Sequence, residues 1–441
     1  MKKLLLFAAL CIGALSVLAG CGAKPLLIWV GSESVDFYTQ KMTEYVTDYN
    51  ATHDKEFPFE VSVKGVDTGT AAATFLDDPD AGADIFTVAH DNLGKLIAGS
   101  SAIAPVQSTA LLAQIQADNP QSFLNVIKGT VNGTLYTFGV PYIAQSLVLY
   151  YNKAYITETQ AQTWEGILQA AKDNGKQALS LSGTDGFNNS FLLLARNAET
   201  NETTLRLYVD GVQSDCFGTG DDTISVMKWG QRFFTDPNGA KRPSDSGWEI
   251  ELSNEISISF IGGAWHFTAA QSALGSNLGI TVLPQFTITA DDAYGTIEAG
   301  TVFQSGTFAD TKMFVMKKGS SKAAYLEDIL LYLSSKEIQE ESFAECENLP
   351  AYKNATTEFS EFQADTLEAK LASAEVNMFE FGIPQPFGFN SKYNTYYYSK
   401  GAPDLILEIL ENPQGEFTSF QAIKDQMQIV ENIWKTGTQQ G

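Results

Sequence analysis

Short apolar runs alternate with longer stretches of helical period along the first two-thirds of the chain, and that alternation leaves few architectures open. Leu26 to Val30 is an uninterrupted apolar run of strand length. From Glu33 to Asn50 the residues Val35, Tyr38, Met42, Tyr45, Val46 and Tyr49 fall on one face of a helix. Phe59, Val61 and Val63 then alternate with Glu60, Ser62 and Lys64, the period of a strand with one face buried. After another helical stretch, Asp84 to Ala89 predicts a further strand ending in a loop. The pattern continues with a strand over Ser146 to Tyr151, a helix over Thr163 to Asn174, and strands over Ala178 to Leu181 and Gly279 to Leu283. This is the pattern of a parallel α/β protein.

From Ala323 onward helices dominate. The last one carries Phe420, Ile423, Met427, Val430 and Trp434 on its apolar face, after a breaker at Asn412-Pro413-Gln414-Gly415. A chain of 441 residues is longer than one core usually serves, so two lobes are expected. No repeat of solenoid period and no long low-complexity linker separates them.

The N-terminus carries an address. Lys2 and Lys3 precede an apolar run from Leu4 to Ala19 that closes on Leu18-Ala19-Gly20-Cys21. The small residues before Cys21 resemble a bacterial lipobox, which implies a signal peptide over residues 1–20 and lipid on Cys21. The alternative is an uncleaved anchor, but a spanning helix needs about 20 apolar residues and this run is shorter. The expected place is the extracytoplasmic face of the cell membrane, held by lipid.

The whole chain has 28 basic and 52 acidic residues. Removing Lys2 and Lys3 leaves a net charge of −26, a surface that repels nucleic acid and anionic lipid. Hydrophobic residues at 44% separate it from acidic disordered chains. Once Cys11 leaves with the signal and Cys21 is lipidated, Cys216 and Cys346 remain, either paired or as two thiols; this is no disulfide scaffold. His53, His90 and His266 lack zinc-site spacing, and Asp77-Asp78-Pro79-Asp80 fits no calcium loop, so no metal or other cofactor is expected. No phosphate-binding Gly-x-x-x-x-Gly-Lys-Ser/Thr occurs, so any ATP-driven step belongs to a partner.

The segment Ala83-Asp84-Ile85-Phe86-Thr87-Val88-Ala89-His90-Asp91-Asn92-Leu93-Gly94 resembles the stretch of maltose/maltodextrin-binding proteins of ABC importers in which a strand ends in Ala-His-Asp at the ligand cleft. Pro141 to Lys153, Thr163 to Ala178, Gly262-Gly263-Ala264-Trp265, Ile280 to Pro284 and Ile383-Pro384-Gln385 resemble further segments of the same family in the same order. The resemblance covers Leu26 to about Trp434 and implies a two-lobed periplasmic-binding-protein-like α/β fold with the ligand cleft between the lobes. By it, lobe one comprises residues 21–143 plus 285–336, and lobe two residues 144–284 plus 337–441, with hinges near Ala144, Pro284 and Lys336.

A sugar needs carboxylates or amides for its hydroxyls and aromatic rings for its C–H faces. The resemblance assigns ligand contacts to Glu33, Asp91, Gln145, Asp185, Phe187 and Trp265, with Phe389 as a further aromatic. Each has a plainer reading beside it. Asp91 could cap the helix that follows, Glu33 could sit in a helical first turn, Trp265 could be a core residue, and Asp185-Gly186 could be an ordinary turn. The chain also departs from the family pattern around the ligand. Ser34 stands for a Lys, Val88 for a Trp, Asn92 for an Arg and Gln145 for a Glu; Asn390 falls where a second stacking Trp is usual.

The function implied is capture of a maltose/maltodextrin-like oligosaccharide by a monomeric, lipid-anchored binding protein. It would deliver the sugar to an ABC permease whose ATPase is a separate chain. A different neutral oligosaccharide is the alternative ligand. A secreted glycoside hydrolase is the alternative class, since sugar sites and paired carboxylates are shared; no pair stands out, and no enzyme activity is expected.

Overall fold

The computed structural model of the chain describes residues 25–98, 101–181, 190–204, 208–209, 212–213, 218–242, 247–355, 365–383 and 400–438. Leu26–Val30 is a strand at the interior of the first sheet, as its run of apolar residues requires. It pairs in parallel with Val61–Gly65 on one side and Ile85–Ala89 on the other. Val61–Gly65 is the sheet edge and only half-buried, the position its alternating sequence suits. The helix expected over residues 33–50 begins after a short turn at Ser32–Ser34 and runs over Val35–Thr52, with Phe37, Tyr38 and Met42 turned into the core.

The long strand Asp310–Lys317 completes this sheet. It pairs antiparallel with Ile85–Ala89 and, on its other side, with Val140–Gln145 and Ile103–Ala104. A continuous core from Leu26 to Ile143 takes in Met313 to Met316 and extends to Ile338.

The second sheet has the order Ala240–Lys241, Leu179–Ser180, Ser259–Gly262, Val148–Asn152, Leu278–Thr281. Val148–Asn152 runs antiparallel to both neighbours. Each sheet is therefore mixed rather than purely parallel, because each receives a strand that has just crossed from the other lobe. Helix Trp164–Asn174 packs on this sheet, opened by Thr163, whose side chain accepts from Gly166 N, and closed by Gly175 at φ 62°. The C-terminal helix Phe420–Thr436 buries Ile423, Met427, Val430 and Trp434, four of the five residues expected on its apolar face.

The expected lobe boundaries need correction. Residues 285–308 belong to the second core, not the first: Phe286 stacks on Trp229 at 4.2 Å, and Trp164 Nε1 donates to Ser305 Oγ at 2.9 Å. Buried aromatic packing on the second lobe, invisible as sequence spacing, holds this segment there. The return crossing consequently lies at Phe308–Asp310, and Pro284 is no hinge. Lys336 opens a helix, Lys336–Cys346, whose Ile338 packs into the first core, so the third crossing follows that helix.

The three crossings touch one another. Ala144 N donates to Leu349 O at 2.8 Å, Thr311 Oγ1 to Ile143 O at 2.8 Å, and Leu147 N to Thr307 Oγ1 at 3.0 Å. A small apolar cluster of Phe123, Ala144, Phe343, Leu349 and Ala372 seals this side with residues from both lobes. The cleft opens between the sheets beside these crossings.

Candidate functional site

Four strand ends supply most of the cleft. The turn Ser32–Ser34 follows the first strand and exposes Glu33; His90–Asn92 follows Ile85–Ala89 and carries Asp91; Gln145 is the last residue of Val140–Gln145; and Ala264–His266 follows Ser259–Gly262 and carries Trp265. Chain leaving the carboxyl ends of strands in an open α/β sheet is where ligand crevices form. All four side chains line one cavity of about 600 Å³ between the lobes. Asp185 and Phe187, within 182–189, and Phe389, within 384–399, lie outside the described residues, as do Cys21 and Cys216.

Trp265 is 45% exposed, so it is not a core tryptophan. The turn beneath it is held from two sides: Tyr150 Oη donates to Gly263 O at 2.9 Å, and Glu375 Oε1 accepts from Ala264 N at 3.0 Å. A side chain at Gly263 would run into the indole, so glycine there leaves the ring room to lie over its own turn. Behind it, His266 stands edge-on to Trp248 and Phe260, and burial lowers its pKa to about 4, so the imidazole is neutral at physiological pH.

Asp91 makes no helix cap; the neighbouring helix begins at Leu93 with Asn92 before it. Instead Asn92 Nδ2 donates to Asp91 Oδ1 at 2.9 Å, and Lys95 Nζ to Asn92 Oδ1 at 2.8 Å, a chain that fixes the carboxylate at the cleft wall. Gln145 Oε1 is buried and meets no hydrogen-bond donor among the described residues, an acceptor with unused capacity at the cleft floor.

The cleft also contains residues that sequence reasoning did not single out. Asp67 and Thr68 follow the edge strand, Asp310 and Lys312 open the antiparallel strand, and Glu347 and Asn348 follow helix Lys336–Cys346. Asp67 is pinned by accepting from the amides of Gly69 and Thr70, each at 3.1 Å. Asn348 Nδ2 donates to Ser34 Oγ at 3.1 Å and to Ser342 Oγ at 3.0 Å, joining the third crossing to the first strand's turn. Glu347 adopts φ 58°, unusual for a side-chain-bearing residue, and its Oε2 accepts from Thr268 Oγ1 of the opposite lobe at 3.4 Å. Burial lowers the Lys312 pKa, against the pull of Glu33, Asp67 and Glu375. Cys346 lines the cleft as a free thiol, its pKa pushed up to about 11 by burial.

Five carboxylates and two lysines thus face one another around a single aromatic face. Among the described residues no group of acidic, histidine and cysteine side chains is arranged to hold a metal ion, and no helix is long and apolar enough to cross a membrane. Two mixed α/β lobes, three touching crossings and a polar cleft between them, with one half-exposed indole in its lining, are the architecture of a two-lobed binding protein. Residues 44–370 match the family model of the bacterial extracellular solute-binding proteins, and the chain belongs to that family.

Among solved structures, the chain is similar to a maltodextrin-binding protein from L. casei BL23, with 19% identity, a TM-score of 0.70, and coverage of 93% of this chain and 99% of that one. It is also similar to a cyclo/maltodextrin-binding protein complexed with maltotetraose, at 18% identity, TM-score 0.67, and coverage of 95% and 99%. A third is the maltose-binding periplasmic protein from Listeria monocytogenes in complex with maltose, at 17% identity, TM-score 0.68, and coverage of 92% and 97%. At these identities the likeness is one of fold. Comparison with curated protein sequences gives no match.

Proposed function

We propose that this chain captures a neutral, maltodextrin-like oligosaccharide between its lobes and hands it, unaltered, to an ABC permease driven by a separate ATPase. Lipid on Cys21 would keep it at the outer face of the membrane. The observation that carries this reading is the pairing of a half-exposed indole, Trp265 on lobe two, with hydroxyl-binding groups Glu33, Asp91 and Gln145 from lobe one and its crossing, around one cavity. Carboxylates and an amide take hydroxyl protons while the indole covers a pyranose face. Asp67 and Lys312 extend the polar wall. Asp185, Phe187 and Phe389 are proposed as further contacts on the resemblance alone.

The test is calorimetric titration of the soluble chain from Gly22, which keeps every described residue, with maltose, maltotriose and longer maltodextrins. Saturable binding of maltotriose is expected, weakened about 30-fold in Trp265→Ala, the size of a stacking anchor worth roughly 2 kcal/mol. Silence across the series overturns the sugar assignment. Shorter sugars accumulating in the cell would instead make the protein a hydrolase.

A further inference from the structure

Glu375, beneath the cleft, joins the Trp265 turn through its carboxyl to the first lobe crossing through its backbone carbonyl. It sits on helix Leu367–Glu380 and is completely buried. Its Oε1 accepts from Ala264 N at 3.0 Å, the amide immediately before Trp265. Its backbone carbonyl accepts from Ser146 Oγ at 2.9 Å, on the first crossing between the lobes. Its Oε2 has no donor at hydrogen-bond geometry among the described residues, and the Ser146 amide beside the carboxyl favours its ionised form. A buried carboxyl with half its capacity unused is expensive as an ion unless a cation compensates it. The candidate is Lys312, which stands on the first lobe's strand, lines the cleft and makes no ion pair within 4 Å among the described residues, yet attracts Glu375 electrostatically.

Resting on the sugar-capture reading, we propose that Glu375 is a positioning residue: its carboxylate fixes the Trp265 turn and draws Lys312 toward it across the lobes, so that its ionised form favours the closed, sugar-holding arrangement. Burial pushes this carboxyl up to about 8, while the Ala264 amide, Lys312 and the Ser146 amide pull it down. Glu375 is already fully buried, so closure cannot desolvate it further. What closure changes is the separation between Glu375 on lobe two and Lys312 on lobe one, and a shorter separation strengthens the attraction.

The other groups facing this pair are Tyr150 toward Glu375, and Glu33 and Asp67 toward Lys312. Tyr150 is raised well above its ordinary value of 10 by burial, and His266 is neutral above about 4, so both keep one form from pH 6.5 to 9. Burial lowers Lys312 as well, so a step that persists in Lys312→Met belongs to Glu375.

The decisive experiment follows the ¹⁵N–¹H signal of the Ala264 amide in the ligand-free soluble chain from pH 6 to 9.5, and then repeats it in Glu375→Gln and Lys312→Met. Wild type is expected to show one titration step, Glu375→Gln none, and Lys312→Met a step whose midpoint lies higher by about one pH unit. A flat wild-type signal, a step that survives in Glu375→Gln, or a midpoint unmoved by Lys312→Met overturns the proposal; the wild-type arm stands even if a variant fails to fold. Maltotriose should bind the wild type about five-fold more tightly at pH 9 than at pH 6.5, and Glu375→Gln with less than about a two-fold difference. If maltotriose binds at no pH, the sugar reading fails by itself, because the amide titrations need no ligand.

Discussion

Asp84 shows how one residue can be read correctly for its strand and missed for its work. It was legible as the start of the strand leading to Asp91, but its carboxylate is buried and collects Lys322 Nζ at 2.8 Å, Leu27 N at 3.0 Å and Ser320 Oγ at 2.7 Å. Lys322 and Ser320 lie more than 230 residues away in sequence, so no local pattern announces the cluster. Burial raises the pKa, but the hydrogen bonds and the ammonium outweigh it and hold Asp84 below its usual 3.8. A depressed folded-state value means that the stabilisation is present above about pH 4 and is lost as pH falls through the folded value. Lys322→Met leaves a buried carboxylate without its cation, and should destabilise the fold by about 3–5 kcal/mol in urea titration at pH 7. A loss under about 1 kcal/mol would mean that the amide and hydroxyl donors satisfy Asp84 without the lysine. At the same scale, the resemblance named Glu33, Asp91, Gln145 and Trp265, and all four line the cleft at or just beyond strand ends. Lys312 was not legible, because it lies inside a strand whose partners are remote in sequence.

Elements were readable where their own period declared them and obscure where a partner decided them. Helices Val35–Thr52, Trp164–Asn174 and Phe420–Thr436 appear within a few residues of their expected bounds, because each carries an apolar stripe. Residues 285–308 went to the wrong lobe because their anchors are single aromatic contacts, Phe286 on Trp229 and Ser305 under Trp164, that leave no periodic trace. The C-terminal helix gives a test at this scale. Ser419 Oγ accepts from Ala422 N at 3.1 Å and opens the helix, while Trp434 near its far end is wholly buried in the second core. Ser419→Ala should cost about 1 kcal/mol, and Trp434→Ala about 3–5 kcal/mol, in chemical denaturation. The cap is exposed, so its loss removes one hydrogen bond; the tryptophan's loss leaves a cavity. Equal costs for the two variants would contradict the view that packing, rather than local helix stability, holds this helix to the lobe.

For the whole molecule, the proposed function makes ligand binding and shape a single equilibrium. Glu33 and Asp91 stand on one lobe, Trp265 on the other, and Gln145 on the first crossing, so a sugar that touches all of them makes contacts that only the approached lobes can offer together. A ligand shifts a conformational equilibrium only by its differential affinity for the two states, and each tenfold preference is worth about 1.4 kcal/mol. The touching crossings restrict the motion to a rotation about one side, where Ala144, Leu349, Thr307 and Thr311 already share hydrogen bonds. Maltotriose at saturation should therefore reduce the radius of gyration measured by small-angle X-ray scattering. In Trp265→Ala, saturated to the same degree, the reduction should be smaller, because the remaining contacts lie on lobe one and its crossing and hold the sugar nearly as well with the lobes apart. Equal compaction in the two proteins would place the closing contacts elsewhere on lobe two, leaving Trp265 as a contributor to affinity alone.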